Sequence, residues 1–331
     1  MKYSVIIPVY NRPDEVNELL ESLAAQGRST DEVEVLVVED GSAVKCDDIV
    51  NQYADRLNVK YFFKTNSGPG QTRNYGAERA TGDYLIILDS DAVLPPGYFD
   101  AIDAELAAQD SDAFGGPDRA HKDFTPIQKA ISYSMTSFFT TGGIRGGKKK
   151  LDKFYPRSFN MGLKREVYLA LGGFSKMRFG EDIDLSIRIF KGGYRCRLFP
   201  EAWVWHKRRT DLWKFFKQVH NSGIARIHLH KRHPGSMKIV HMLPAAFTVV
   251  TALLLTIGMV WGWAYLPLWL YAIIILIDAS TKEHSFKVGL LAVPAAFVQL
   301  LGYGSGFLIA FWQCIVRGKG EFTAYEETFY E

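Results

Sequence analysis

The chain has 331 residues, 47% of them hydrophobic and 23% charged, and a net charge of +3. That length exceeds one minimal domain, so two parts are expected, and the small charge without basic–aromatic interleaving excludes a nucleic-acid surface. Three widely spaced cysteines, Cys46, Cys196 and Cys314, form neither a metal motif nor a disulfide framework, which fits a reducing compartment.

Met1-Lys2 leads straight into a strand at Ser4–Val9, so no cleavable signal peptide is expected. Tyr10-Asn11-Arg12-Pro13 closes that strand. Val16, Leu19, Leu20 and Leu23 then predict a helix over Asp14–Ala25. A second strand, Val33–Val38, ends in Glu39-Asp40-Gly41-Ser42. Ile49–Leu57 reads as a helix, Val59–Phe63 as a third strand, and Ser67-Gly68-Pro69-Gly70 as a loop. Gln71–Ala80 reads as a helix stopped by Gly82. Tyr84–Leu88 is a strand apolar on both faces, as buried parallel strands are. Strand and helix alternate at short spacing, the pattern of a parallel α/β sheet.

From about Ser111 the pattern loosens. Phe114-Gly115-Gly116 reads as a strand and Ile127–Phe139 as a helix. Gly142–Lys153 reads as a glycine- and lysine-rich loop, and Asn160-Met161-Gly162 as a loop facing an acceptor. Val167–Leu171 and Ile183–Phe190 read as helices and Cys196–Phe199 as a strand. Beyond Met237 apolar runs dominate. Met242–Trp261 is long enough for a bilayer, which takes roughly twenty apolar residues. Leu266–Ile277 is a shorter run. Val288–Val316, broken by Pro294, Gly302, Gly304 and Gly306, is either one tilted helix or a tight hairpin. Trp261, Trp263, Tyr265 and Trp269 resemble an interfacial belt. Basic clusters lie at Lys148–Lys150, Lys207–Arg209 and Arg226–Lys238. The last abuts the first apolar run and places the N-terminal part in the cytoplasm by the positive-inside rule. The expected division is a catalytic domain at 1–237, two to four spans at 238–316 with three preferred, and a polar tail at 317–331.

The chemistry gathers at strand ends. Asp89 and Asp91 follow a buried strand, and open α/β sheets bind ligands at that edge. Two desolvated carboxylates repel, and a divalent cation shared with a diphosphate offsets them. Pro8, Tyr10, Glu39, Asp40 and Arg73 belong to neighbouring loops of the same edge. An acidic group there can bind a base or ribose, and Arg73 a phosphate. For Glu39-Asp40 a turn capping the next helix is an equal reading. Glu181-Asp182 opens a helix, where acids favour the dipole, and equally offers a general base. Glu181 and Asn160 are assigned to the acceptor side. His206 binds phosphate or metal, or is a core histidine. Neither GxGxxG nor GxxxxGK[ST] occurs, against dinucleotide binding and P-loop hydrolysis.

Ser4–Asn11, Val37–Ser42, Arg73-Asn74-Tyr75-Gly76, Thr81-Gly82-Asp83, Leu88–Asp91 and Gly180-Glu181-Asp182 occur together, in that order. With them the chain resembles a family 2 glycosyltransferase of the GT-A fold over roughly its first two-thirds. The fold class implied is α/β, a GT-A nucleotide-sugar-binding fold with a mostly parallel sheet, followed by an α-helical membrane region. The resemblance implies that Pro8, Tyr10 and Asp40 hold the base, with Arg73 near it. It implies Asp89 at the ribose and metal, Asp91 as the ligand of Mg²⁺ or Mn²⁺, and Asp182 as the base of an inverting reaction. A UDP-sugar is the favoured donor, with GDP- or dTDP-sugars as alternatives. The expected acceptor is a glycan or a lipid-linked glycan, and the expected location is the cytoplasmic membrane.

Two features depart from the family. The Gln-x-x-Arg-Trp motif of polymer synthases is replaced by Gln218-Val219-His220-Asn221-Ser222, which favours addition of one sugar. Glu39 stands where the family usually has aspartate. The rival readings are a polyprenyl-phosphate glycosyltransferase and a catalytically silent nucleotide-sugar-binding subunit. A nucleotidyltransferase is disfavoured, because no basic glycine-rich loop follows the first strand.

Overall fold

The computed structural model describes residues 1–119, 124–141, 154–322 and 324. The Gly142–Lys153 loop with its Lys148–Lys150 cluster, and the end of the 317–331 tail, lie outside the described residues. Contacts divide the chain into two units. One is built on residues 1–121 and 154–207, the other on 122–153 and 208–329. This division falls at Arg208, where the expected catalytic part ran to 237, and it groups the segment around 126–141 with the apolar tail.

The first unit is built around four parallel strands: β1 (Tyr3–Val9), β2 (Val33–Asp40), β3 (Asn58–Lys64) and β4 (Tyr84–Leu88). The aliphatic residues of β1, β2 and β4 are buried because both faces are covered, whereas the edge strand β3 is partly exposed. The helix α1 (Pro13–Ala24) buries Val16, Leu19, Leu20 and Leu23 on one face. The helices α3 (Pro69–Arg79) and α8 (Glu181–Lys191) cover the other through Ala77, Leu185 and Ile189. Between β2 and β3, only Asp47–Asn51 (α2) is a regular helix, shorter than the predicted Ile49–Leu57. Gly76 sets how closely α3 lies on the sheet. A Cβ there would meet Ile6 at 2.7 Å and Val38 at 3.2 Å.

Beyond β4 come β5 (Ala92–Val93), α4 (Tyr98–Ala108), β6 (Ala113–Gly115) and β7 (Asp118–Arg119). Asn160-Met161-Gly162, read as a loop, opens a strand, β8 (Asn160–Lys164). It runs antiparallel between β4 and β6. Gly162 is there because the Phe114 ring lies over it: a Cβ would come within 2.1 Å of that ring. The strands β9 (Cys196–Leu198) and β10 (Val204–His206) follow α7 (Arg165–Ala170) and α8. The main sheet has the order β3-β2-β1-β4-β8-β6-β9, and β5-β10-β7 form a small second sheet. The sheet is mostly parallel, as expected, with β8 reversed.

In the second unit, the predicted helix Ile127–Phe139 divides into α5 (Pro126–Thr136) and α6 (Phe138–Thr141). The helix α9 (Leu212–Arg232), which carries Gln218 to Ser222, had no predicted counterpart. Three further helices are long and apolar enough to cross a membrane. They are α10 (Ile239–Gly258), α11 (Leu266–Lys282) with its leading 3₁₀ turn Gly262–Tyr265, and α12 (Phe286–Ala310), which continues through a π turn to Val316. The third span is one continuous helix, not a hairpin. Its glycines are packing notches: a Cβ on Gly302 would strike Val219, one on Gly304 would strike Thr248, and one on Gly306 would strike the His220 carbonyl. Small residues let helix backbones approach in this way. Phe247, Tyr271 and Phe297 meet where the three helices cross, with ring centroids 5.3–5.9 Å apart.

A buried carboxylate ties β1, β2 and β3 together in the first unit. Glu34 on β2 is fully buried. It accepts from Ser4 Oγ at 2.6 Å, Thr81 N at 2.6 Å and Lys60 Nζ at 2.9 Å. Burial pushes its carboxyl up, but Lys60, Ser4 and Thr81 outweigh that and hold it at about 2, against 4.5 when unperturbed. The folded pKa is depressed, so this stabilisation is complete above about pH 4.5 and is lost as pH falls towards 2. In acid-unfolding titrations, Glu34→Gln should be less stable than wild type near neutrality, and the gap should close between pH 4.5 and 2. A gap independent of pH would contradict this.

Candidate active site

The site forms where β1, β2 and β4 release their loops. Pro8, on β1, is partly exposed, as is Tyr10 just after it. Asn11 has a positive φ of 51° and joins two of these loops. Its side-chain oxygen accepts from Ala43 N at 2.8 Å and Val44 N at 3.0 Å, and its own N–H donates to Ser42 at 2.8 Å. Asparagine tolerates that conformation better than other non-glycine residues.

Glu39 and Asp40 end β2 and point to opposite faces, as strand neighbours must. Both are buried. Glu39 accepts from the Tyr61 hydroxyl and from Cys46 N, the residue just before α2. The capping reading therefore describes Glu39, and the expected contact with a nucleotide is closed to it by burial. Asp40 accepts from Ser67 N and Gly68 N, both at 2.9 Å, and from Lys64. It shapes the loop that leads into α3. Burial raises the Cys46 thiol well above its usual range, with Glu39 adding to it.

Arg73 on α3 is 4% exposed and holds two carboxylates. It donates to Asp89 Oδ1 at 2.7 Å and to Glu181 Oε1 at 3.0 Å, and its guanidinium lies over the Phe174 ring. Asp91 is bound by Arg12 at 3.2 Å and by His206 Nε2 at 3.1 Å. The imidazole stacks on Phe159, 4.9 Å between centroids. Asp89, Asp91 and His206 each offer a ligand atom, and these lie within 4.8 Å of one another. Two carboxylates with one imidazole suit Mn²⁺ and accept Mg²⁺. The donor set thus fits the expected cation, and of the readings for His206 its place in this cluster favours the metal one.

Glu181 and Asp182 open α8, behind Gly180 with its φ of 82°. Both are nearly buried, and their environments separate them. Asp182 accepts from Arg157 Nε at 2.5 Å and from Ile183 N at 2.8 Å. Burial works against its charge, yet Arg157 and the amide lower its pKa. Burial raises Glu181 to about 7, with Arg73 opposing and Asp182 assisting. Asn160, expected to face the acceptor, is 1% exposed on β8. It accepts from the Tyr98 hydroxyl at 2.6 Å and donates to the Ala202 carbonyl at 2.7 Å, so it is an internal tie. Arg12, Arg157 and Phe159 were missed by the sequence reading. Their only sequence signals are charge and aromaticity, without a motif.

A sequence model described as Glycosyl transferase family 2 matches residues 4–172. The chain is 37% identical over 283 residues to a validoxylamine A glucosyltransferase of Streptomyces hygroscopicus subsp. jinggangensis, covering 75% of this chain and 63% of that protein. It is 44% identical over 93 residues to the Staphylococcus aureus poly(ribitol-phosphate) beta-N-acetylglucosaminyltransferase TarS, covering 28% of this chain and 16% of TarS. The chain thus spans less than two thirds of either relative. The solved mannosyltransferase PcManGT from Pyrobaculum calidifontis, in complex with GDP-Man and Mn²⁺, shares the fold. Its TM-score is 0.64 at 20% identity, over 88% of this chain and 85% of that one.

The geometry of the acidic cluster is testable by metal titration. Free Mn²⁺, read by electron paramagnetic resonance, should bind the wild type. Asp91→Asn and His206→Ala should each weaken it by more than the roughly 10- to 100-fold that loss of an outer-shell partner costs. Unchanged binding in either variant would remove that residue from the site.

Proposed function

Because the chain belongs to glycosyl transferase family 2, we propose that it is an inverting, metal-dependent glycosyltransferase. It moves one sugar from a nucleotide sugar to a hydroxyl of a glycan or lipid-linked glycan at the membrane. The observation that carries this reading is the Arg73 bridge, which joins Asp89 of the acidic cluster to Glu181 of the buried acidic pair. Relatives named for glucosyl and N-acetylglucosaminyl transfer, and a neighbour of the same fold holding GDP-Man and Mn²⁺, support a nucleotide-sugar donor and a divalent cation.

In this reading Pro8 and Tyr10 border the base, with Asp40 shaping the loop beside it. Asp89, Asp91 and His206 hold Mg²⁺ or Mn²⁺. When bound, the cation supplies positive charge for the departing diphosphate. Asp182 is the general base and takes the acceptor's proton. Arg157 keeps its carboxylate ionised and aimed. Ionised Glu181 places a like charge beside Asp182 and raises its proton affinity. The three apolar helices anchor the chain in the cytoplasmic membrane, and the Arg226–Lys238 run favours a cytoplasmic catalytic unit. A phosphate acceptor, as in the polyprenyl-phosphate rival, would need no base.

Purified protein with Mn²⁺ and a panel of UDP-, GDP- and dTDP-sugars should release nucleotide diphosphate from one donor. With the matching hydroxyl acceptor, Asp182→Asn should lower turnover roughly a hundred- to ten-thousand-fold, with donor affinity nearly unchanged. Little loss would point to a phosphate acceptor. No release from any donor in the wild type would favour the silent subunit.

A second outcome concerns pH. Burial pushes the Glu181 carboxyl up to about 7, with Arg73 opposing, so in this reading it gains its charge as pH rises through that range. Turnover should therefore rise through about pH 7 as Glu181 ionises. Glu181→Gln should abolish that step while the acceptor reaction persists at a lower, flatter level. An unchanged step in the variant would assign it to another group.

A further inference from the structure

In the second unit, α5 and α6 precede the three apolar helices in the chain and end in exposed aromatic rings. Lys129 is the one charged residue of α5, and Ala130–Thr141 carries no charge at all. Phe138 and Phe139 on α6 are 69% and 42% exposed, their rings edge to face with centroids 6.0 Å apart.

Two hydrogen bonds fix the course of this segment along α11. The Tyr133 hydroxyl donates to Asp278 Oδ2 at 2.5 Å, near the end of α11, where Lys282 Nζ donates to the same carboxylate at 2.9 Å. The Tyr271 hydroxyl donates to the Phe139 carbonyl at 3.3 Å. Asp278 and Tyr271 are about 10 Å apart along a helix axis. Tyr271 falls near the middle of the 262–282 stretch, which is long and apolar enough to cross a bilayer. The segment therefore runs from the charged end of α11 towards its middle. On the way Ile131 and Met135 are buried in one cluster with Ile275, Ala279 and Ala292.

The break between α5 and α6 is the point where such a course would be costly. Ser137 is extended, with φ −65° and ψ 141°, and a helix end leaves carbonyls without intrahelical donors. Water would satisfy them; lipid would not. Here hydroxyls of the segment itself do so. Thr140 Oγ1 donates to the carbonyls of Ser134 at 2.5 Å and Ser137 at 3.0 Å, Thr136 Oγ1 to that of Ser132 at 3.0 Å, and Thr141 Oγ1 to that of Ser137 at 2.9 Å. With Tyr271 on the Phe139 carbonyl, the turn meets its own hydrogen-bonding needs.

We propose that α5 and α6 form a re-entrant membrane segment whose Phe138-Phe139 tip contacts lipid acyl chains. The inference rests on the reading that α10, α11 and α12 lie in a bilayer. Acyl chains fit the tip because it presents two rings and no charge, while the hydroxyls beside it donate inward. The same surroundings suit α11, whose Ile273 and Ile274 are 47% and 44% exposed.

The test places nitroxide labels on the full chain in phosphatidylcholine–phosphatidylglycerol nanodiscs and reads their collisions with oxygen and with a water-soluble nickel chelate by electron paramagnetic resonance. Cys196, the partly exposed cysteine, is changed to alanine, and that parent protein gives the background from the buried Cys46 and Cys314. A label at Phe138→Cys should meet oxygen more than nickel, as should a label at Ile274→Cys on α11. A label at Lys129→Cys should show the reverse order. If Phe138→Cys does not fold, judged by its melting temperature, Phe139→Cys carries the comparison. Nickel preference at the tip with oxygen preference at Ile274→Cys would overturn the re-entrant segment alone. Nickel preference at both would overturn the membrane reading and the segment with it. Oxygen preference at Lys129→Cys equal to that at the tip would overturn the re-entrant course, since the whole segment would then lie at one depth. A tip label reached by neither reagent would overturn the lipid assignment and mean a protein partner covers the rings.

Discussion

The Arg73 guanidinium is the element on which the arrangement at the sheet edge depends. It comes from α3, reaches Asp89 at the end of β4, and reaches Glu181 at the start of α8. A buried arginine with two carboxylates is anchored at both ends, and its planar fork fixes their orientation. Without that cation, Asp89 would lose its arginine partner and the buried Glu181 could ionise only at the cost of an unpaired charge. Its position depends in turn on Gly76, which lets α3 settle onto Ile6 and Val38. The ordering of the acidic edge thus begins with a close helix–sheet contact.

The paired acids show how neighbours give similar groups different character. Asp182 is held ionised by Arg157 and a backbone amide, whereas Glu181 is dominated by burial and sits near neutrality. Two carboxylates whose environments separate their proton affinities are the arrangement that acid–base chemistry uses. Asp91 sits in a different balance. Arg12 and His206 both contact it, so a cation arriving there meets an ordered carboxylate. Phe159 stacked on His206 restricts the ring plane and so the direction of its nitrogen.

The second unit is organised by absence of bulk. Gly302, Gly304 and Gly306 on α12 and Gly223 on α9 remove side chains where backbones pass, and any Cβ at these positions would collide. In an apolar solvent, burial of apolar surface gives little drive, so close contact must supply the association. The exposed tryptophans Trp261, Trp263 and Trp269, 58%, 72% and 66% exposed, cluster about the turn between α10 and α11. Their large half-polar rings suit a membrane interface.

The sequence by itself determined the alternating α/β first part, the Asp89–Asp91 pair at a strand end, the acidic opening of α8 and the three apolar helices. Each rests on local signals: continuous apolar runs, glycine and proline punctuation, and neighbouring charges. Tertiary structure decided the rest. β8 was hidden because Asn160 and Gly162 disfavour strands, and only the Phe114 ring above Gly162 explains the glycine. Asn160 looked available for an acceptor until Tyr98 and Ala202 took its amide. Glu39 looked like a ligand residue until strand alternation turned it inward onto Cys46 and Tyr61. The companions Arg12, Arg157 and Phe159 lie 79, 25 and 47 positions from the residues they hold. Such pairings carry no period or spacing in the chain. They exist only once the sheet and its loops have brought distant segments together.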